Sequence, residues 1–168
     1  FLDVQEVKNI ENEIDTEDCA SFENLRKTGE NEKYLCELIR KDSIIQFVKL
    51  MNKNVSLNKT TISPSIFETN LFLTKNEASL IEYAAFYGSI QIFQYLKINQ
   101  HEMKPSLWLY AIHSNNPELI HILEESNVEP PDGSFESCLV ESIKCHHNEI
   151  ANYIKQVIFN DNKQIFNR

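Results

Sequence analysis

From Ser79 onward the apolar residues fall into a pattern that repeats. Leu80, Ile81, Ala84 and Ala85 recur at helical spacing, and after a polar break at Gly88 and Ser89 the same spacing resumes at Ile92, Phe93, Tyr95 and Leu96. Leu107, Trp108, Ala111 and Ile112 repeat the first half and Leu119, Ile120 and Leu123 the second. A third copy runs through Cys138, Leu139, Ser142 and Ile143, then Ile150 and Ile154. The copies begin at Ser79, Ser106 and Ser137, 27 and then 31 residues apart. Each copy predicts two short helices, too short to be stable alone, so their apolar stripes must be buried by neighbouring copies. Small residues at Ala84, Ala85, Ala111 and Ser142 allow close helix approach, and the larger Ile, Leu, Phe and Trp108 fill the layers between.

The polar positions mark the helix ends. Ser79 followed by Glu82 reads as a capping box. Asn116, Pro117 and Glu118 open a helix with a cap, a tolerated first-turn proline and an acid at the positive end of the dipole. Gly88, Asn115 and His146 share one repeat position, between the two helices, where a left-handed backbone favours Gly and then Asn.

Upstream, residues 35–51 predict a more degenerate helix pair turning near Asp42 and Ser43. Ser63, Pro64, Ser65, Ile66 and Phe67 echo Lys104 to Trp108 and predict a lone helix or half-unit, after a polar connection over 52–63. The expected organisation is an acidic lead-in over 1–31 with a possible short helix through Val4, Val7, Ile10 and Ile14, a repeat domain over 32–159 with clear units at 76–105, 106–134 and 135–159, and a frayed tail over 160–168. The expected fold is all-α, a short solenoid of stacked antiparallel helix pairs.

The unit Ser79 to Leu96, with Tyr83, Ala84, Ala85, two variable residues and Gly88 in frame, resembles an ankyrin repeat. Leu80 to Ala84, Tyr110 to Asn116, Ile143 to Asn148 and Ser65 to Asn70 further make residues 22–153 similar to an ankyrin-associated domain of unknown function from protist ankyrin proteins. The units are shorter than the usual repeat of about 33 residues and lack its Asp-x-x-Gly finger turn, so projecting hairpins are not expected. The resemblance implies a protein-binding solenoid whose variable positions after Ala-Ala face the concave side. By register these are Phe86 and Tyr87, His113 and Ser114, and Lys144 and Cys145, with Glu82 and Leu109 flanking one turn earlier. The partner implied is a protein of unidentified kind. The alternative is a structural or capping segment of a longer ankyrin array, and the oligomeric state stays open.

Charge and composition narrow the classes. A net charge of −9 argues against nucleic acid, whose binding rests on basic residues releasing counterions. Residues 1–32 hold ten acids against three bases, and so carry a net −7. No apolar run of about 18 residues occurs to span a bilayer. Four dispersed cysteines without CxxC spacing point to reduced thiols in a cytoplasmic or nuclear setting.

No catalytic constellation or cofactor motif is expected. Three isolated glycines cannot form a phosphate-cradling loop. His113 and Ser114 are adjacent on one helix and diverge, with no elbow to present the serine. Cys138, Cys145, His146 and His147 form a soft-ligand cluster that raises a weak metal-binding alternative. Cys138, however, shares its register with Leu80 and Leu107 and is expected in the core. Trp108 shares its register with Ile81 and Leu139 and is likewise expected inside.

Overall fold

A computed structural model describes residues 16–53 and 61–165, with side chains described over 21–53 and 61–156. The described residues form ten α-helices and no strand, with a single isolated bridge between Thr61 and Ser79. In chain order the helices are α1 (Thr16–Thr28), α2 (Tyr34–Arg40), α3 (Ile44–Lys53), α4 (Leu71–Lys75), α5 (Leu80–Tyr87), α6 (Ile90–Ile98), α7 (Leu107–Ser114), α8 (Pro117–Glu125), α9 (Glu136–Lys144) and α10 (Asn148–Ile165). No helix among the described residues is long and apolar enough to cross a membrane. Val4, Val7, Ile10 and Ile14 lie outside the described residues.

The chain divides into two compact units. The larger comprises residues 34–62 and 78–168 and contains four pairs of consecutive helices that pack on each other, α2/α3, α5/α6, α7/α8 and α9/α10. The first helices pack in sequence, α2 on α5, α5 on α7 and α7 on α9, and α3 packs on α6. Leu80, Ile81, Ala84, Ala85, Ile92, Phe93, Leu96, Leu107, Trp108, Ala111, Ile112, Leu119, Ile120, Leu123, Ile150 and Ile154 are all buried, as their spacing requires. The methyl-sized side chains of Ala84, Ala85 and Ala111 sit where the row of first helices is tightest, which is the physical reason larger residues are missing there. Trp108 is 1% exposed, and its Nε1–H donates to the Val128 carbonyl at 2.8 Å.

Two expected core positions in α9 differ. Ile143 is 57% exposed and Leu139 is half-buried, although both match buried positions in α7. Ile112 lies on a helix that the next first helix covers, whereas among the described residues no further first helix follows α9. The inward side of α9 conforms: Cys138 and Ser142 are buried.

The turns are built as the polar positions require. Asp42, Gly88, Asn115 and His146 stand at equivalent interhelix places with φ of 47°, 69°, 52° and 59°, the left-handed region that closes a helix with least strain for Gly and Asn. Ser79 and Glu82 form the capping box, and the Asn116 side chain accepts from Glu118 N–H. The links also run between pairs. Asp42 accepts from the backbone N–H groups of Gln91 at 3.0 Å and Ile92 at 2.9 Å, so the turn of one pair caps a helix of the next. Ser89 donates its hydroxyl to the Ile39 carbonyl.

The smaller unit comprises residues 1–33 and 63–77. Phe22 on α1 meets Phe67 edge-on at 5.3 Å. Gly29, at φ 68°, ends α1 where a Cβ would come within 2.7 Å of Thr69 Oγ1, and its carbonyl accepts from the Thr69 N–H and hydroxyl. The half-unit expected over Ser63 to Phe67 is instead a turn: Ser65 Oγ accepts from Phe67 N–H and Glu68 Oε1 from Asn70 N–H, bonds that compete with helix, so the helix starts only at Leu71. This segment groups with residues 1–33 rather than with the larger unit, and α10 continues to Ile165, past the boundary expected at 159.

Candidate functional site

The last turns of the first helices carry one connected run of side chains. On α2, Arg40 donates from its guanidinium to Tyr83 Oη at 3.1 Å and lies 5.9 Å from the Tyr87 ring centroid. On α5, Tyr87 packs against Tyr83 at 4.9 Å and against Phe86 at 5.0 Å. Phe86 stacks on His113 of α7 at 5.0 Å. His113 reaches α9, with Nε2 at 3.0 Å from Glu141 Oε1 and Nδ1 at 3.5 Å from Cys145 Sγ. Lys144 closes the run, donating to Glu141 Oε2 at 3.0 Å. Four helices thus contribute to one line of aromatic, imidazole, thiol and charged groups because the first helices pack in sequence.

Of the residues expected on this face, Phe86, Tyr87, His113 and Cys145 are brought together half-buried, and Lys144 joins them exposed. Ser114 turns to local work: its hydroxyl donates to the Ala111 carbonyl at 2.7 Å and accepts from Asn116 N–H. Leu109 is half-buried one turn before His113. Glu82 departs from the expectation of a flanking surface residue: it is 6% exposed, its carboxylate accepting from the Ser79 N–H and hydroxyl and from the Ser106 hydroxyl. The capping geometry turns the carboxylate toward the helix start and the next pair, away from solvent.

Sequence reasoning missed Arg40, Tyr83 and Glu141. The signal for the last was present: Glu141 replaces, in register, the tyrosines Tyr83 and Tyr110, one helical turn before Cys145.

Electrostatics sets the protonation of this run. Burial pushes His113 below the usual imidazole range, against the opposing pull of Glu141. One ring nitrogen faces the Glu141 carboxylate and the other the Cys145 sulfur, so a single neutral ring can serve both. Burial also raises the Cys145 thiol, with Glu141 adding to the effect.

The weak metal-binding alternative at Cys138, Cys145, His146 and His147 does not assemble. Cys138 is buried in the core, where burial raises its thiol to about 12. It stands seven residues from Cys145, about 10 Å along the helix axis. His147 Nδ1 lies 2.8 Å from the Ile112 carbonyl, and His146 is exposed at the turn. The cavity of about 210 Å³ beside Asn115, Pro117, Ile120 and Tyr153 is separate, and Tyr153 there donates to Glu124.

Compared with known protein families, curated proteins and solved structures, the chain gives no significant match in any of the three.

Proposed function

We propose that the larger unit is a non-catalytic protein-recognition module of ankyrin-repeat type, and that its partner docks on the run from Tyr87 through Phe86 and His113 to Lys144. The single observation that carries this reading is the continuity of that run across three first helices, α5, α7 and α9. Aromatic residues flanked by Arg40 and Lys144 are the residue types that dominate interface energetics, being large, rigid and able to bond at the rim. The cations at either end suit a partner segment with an apolar anchor and acidic flanks. Thiols outside any disulfide at Cys138 and Cys145 favour a reducing cytoplasmic or nuclear setting for this role.

The experiment is capture of interacting proteins by the chain, compared with Lys144→Glu and with Phe86→Ser combined with Tyr87→Ser. Lys144 is exposed, so its variant keeps the fold. A set of captured proteins unchanged in both variants removes this face as the docking surface.

A second reading is favoured by Val140 and Ile143, 50% and 57% exposed on α9. They are the kind of apolar face that a further helix pair would cover in a longer array. In that reading the unit extends and caps a stack instead of binding a separate partner. Val140→Lys with Ile143→Lys distinguishes the two, leaving partner capture intact if the aromatic run does the binding.

A further inference from the structure

His113, Glu141 and Cys145 bring a nitrogen, a carboxylate oxygen and a sulfur to within 4.8 Å of one another, the one such grouping of three metal-ligating side chains among the described residues. We propose that these three side chains form a site for a borderline-soft divalent cation of the zinc type, with a fourth coordination position left open. The site goes beyond the recognition reading above and does not depend on it.

The spacing is close to what the chemistry needs. Zinc bonds of about 2.1 Å to nitrogen or oxygen and 2.3 Å to sulfur at a tetrahedral angle put N···O edges near about 3.4 Å and N···S edges near about 3.6 Å. His113 Nε2 stands 3.0 Å from Glu141 Oε1 and 3.9 Å from Cys145 Sγ, so shifts of a few tenths of an ångström bring these two edges to the values an ion needs, and the edge between Glu141 and Cys145 lies within 4.8 Å. An imidazole, a thiolate and one carboxylate select zinc or cobalt over magnesium or calcium, which take oxygen ligands alone. Glu141 and Cys145 sit one turn apart on α9, and the stacked Phe86 ring holds the plane of His113. Each ligand is thereby oriented before the ion arrives.

Helix dipoles separate this reading from the other one the trio invites, a cysteine nucleophile with His113 as base and Glu141 as orienter. His113 lies in the last turn of α7 and Cys145 at the C-terminal cap of α9. Negative helix ends favour a bound cation and disfavour a free thiolate. An acyl-transfer site also needs amide donors for the developing oxyanion. Here the N–H groups of Cys145, His146 and His147 donate to the Glu141, Ile143 and Ser142 carbonyls, closing the helix end. Metal binding releases the thiol proton to solvent and leaves the imidazole neutral with its proton on Nδ1 and Nε2 free to ligate, so no oxidant or further reactant is involved.

Lys144 supplies the internal check. Its ammonium donates to Glu141 Oε2 at 3.0 Å from a side chain 65% exposed. It competes with the cation, so its removal tightens binding.

The test is titration of the metal-free, reduced 168-residue chain with Co²⁺, read by its absorption, followed by displacement with Zn²⁺. The expected result is a thiolate-to-cobalt charge-transfer band with the visible bands of a four-coordinate centre, saturating at one ion per chain and lost to zinc. Cys145→Ser abolishes the charge-transfer band. His113→Gln and Glu141→Gln weaken cobalt binding by roughly tenfold or more, and Lys144→Ala strengthens it several-fold. Cys138→Ala, Cys19→Ala and His146→Ala leave it unchanged. No charge-transfer band in the unaltered chain overturns the proposal, as does a band that survives Cys145→Ser or disappears in the Cys138, Cys19 or His146 variant. Because the unaltered chain alone gives the decisive spectrum, a variant that fails to fold does not rescue the idea.

Discussion

Phe86 lies over the imidazole of His113 with ring centroids 5.0 Å apart and planes 27° from parallel, joining the second helix pair to the third. The contact follows from register: both residues occupy the same place in their repeats, near the end of the first helix, and the row of first helices brings equal places together. Aromatic pairing contributes about 0.5–1.5 kcal/mol beyond burial. Phe86→Ala therefore costs stability as well as partner capture, about 2 kcal/mol for a half-buried ring. Urea denaturation checks this, and a loss under about 0.5 kcal/mol would show that the stacking does not stabilise the fold.

Trp108 separates packing from hydrogen bonding within one residue. Trp108→Ala leaves a large cavity beside Phe135, whose ring it meets edge-on at 4.9 Å, and costs on the order of 3–5 kcal/mol. Trp108→Phe keeps most of the ring but orphans the buried Val128 carbonyl, at a cost of about 1–3 kcal/mol. Equal denaturation midpoints for the two variants would mean that the indole cavity adds nothing beyond the lost bond.

How much of this was legible in the sequence depends on whether a residue's role is set within its own repeat. Ser79 and Glu82, Asn116 and the left-handed turn positions Gly88, Asn115 and His146 are local devices, and spacing alone locates them. Ile143 could not be read that way, because its burial depends on whether another first helix follows. The capping role of Glu82 is local and legible, but its burial is not, since its third partner, Ser106, lies in the next pair. The trio at His113 was invisible for the same reason. His113 and Cys145 are 32 residues apart, and only the stacking of α7 on α9 makes them neighbours. Adjacent histidines near two cysteines in sequence pointed instead to Cys138, which helical periodicity turns into the core.

Asp42 joins the first pair to the second. Its carboxylate takes two N–H groups at the start of α6, a helix whose own cap residue, Ser89, gives no side-chain capping bond. An N-terminal cap of this kind contributes about 0.5–2 kcal/mol. Asp42→Ala loses both bonds and the residue's tolerance of positive φ, while Asp42→Asn keeps one acceptor and that tolerance. Denaturation midpoints are expected in the order native, Asp42→Asn, Asp42→Ala. An alanine variant as stable as the native chain would mean that the two amides are satisfied by water at no cost.

Ala84 and Glu82 test the packing of the first-helix row from opposite sides. Ala84 is fully buried, so Ala84→Asp places an unpaired carboxylate and extra volume where helices pack closely, and two mechanisms of destabilisation act together. A lost cap alone would make Glu82→Ala cost about 1 kcal/mol. The buried carboxylate, however, also accepts from Ser106, which ties α5 to the start of α7. Truncation leaves the Ser79 amide and the Ser79 and Ser106 hydroxyls without this partner, raising the expected loss to about 2–3 kcal/mol. Glu82→Gln keeps the shape and one oxygen acceptor and loses less. Thermal unfolding should therefore rank Ala84→Asp as most damaging, Glu82→Ala next and Glu82→Gln least. Should Glu82→Ala and Ser106→Ala prove additive in a double-mutant cycle, with no coupling between them, the bond across the pairs contributes nothing. The row of first helices would then be held by apolar packing alone.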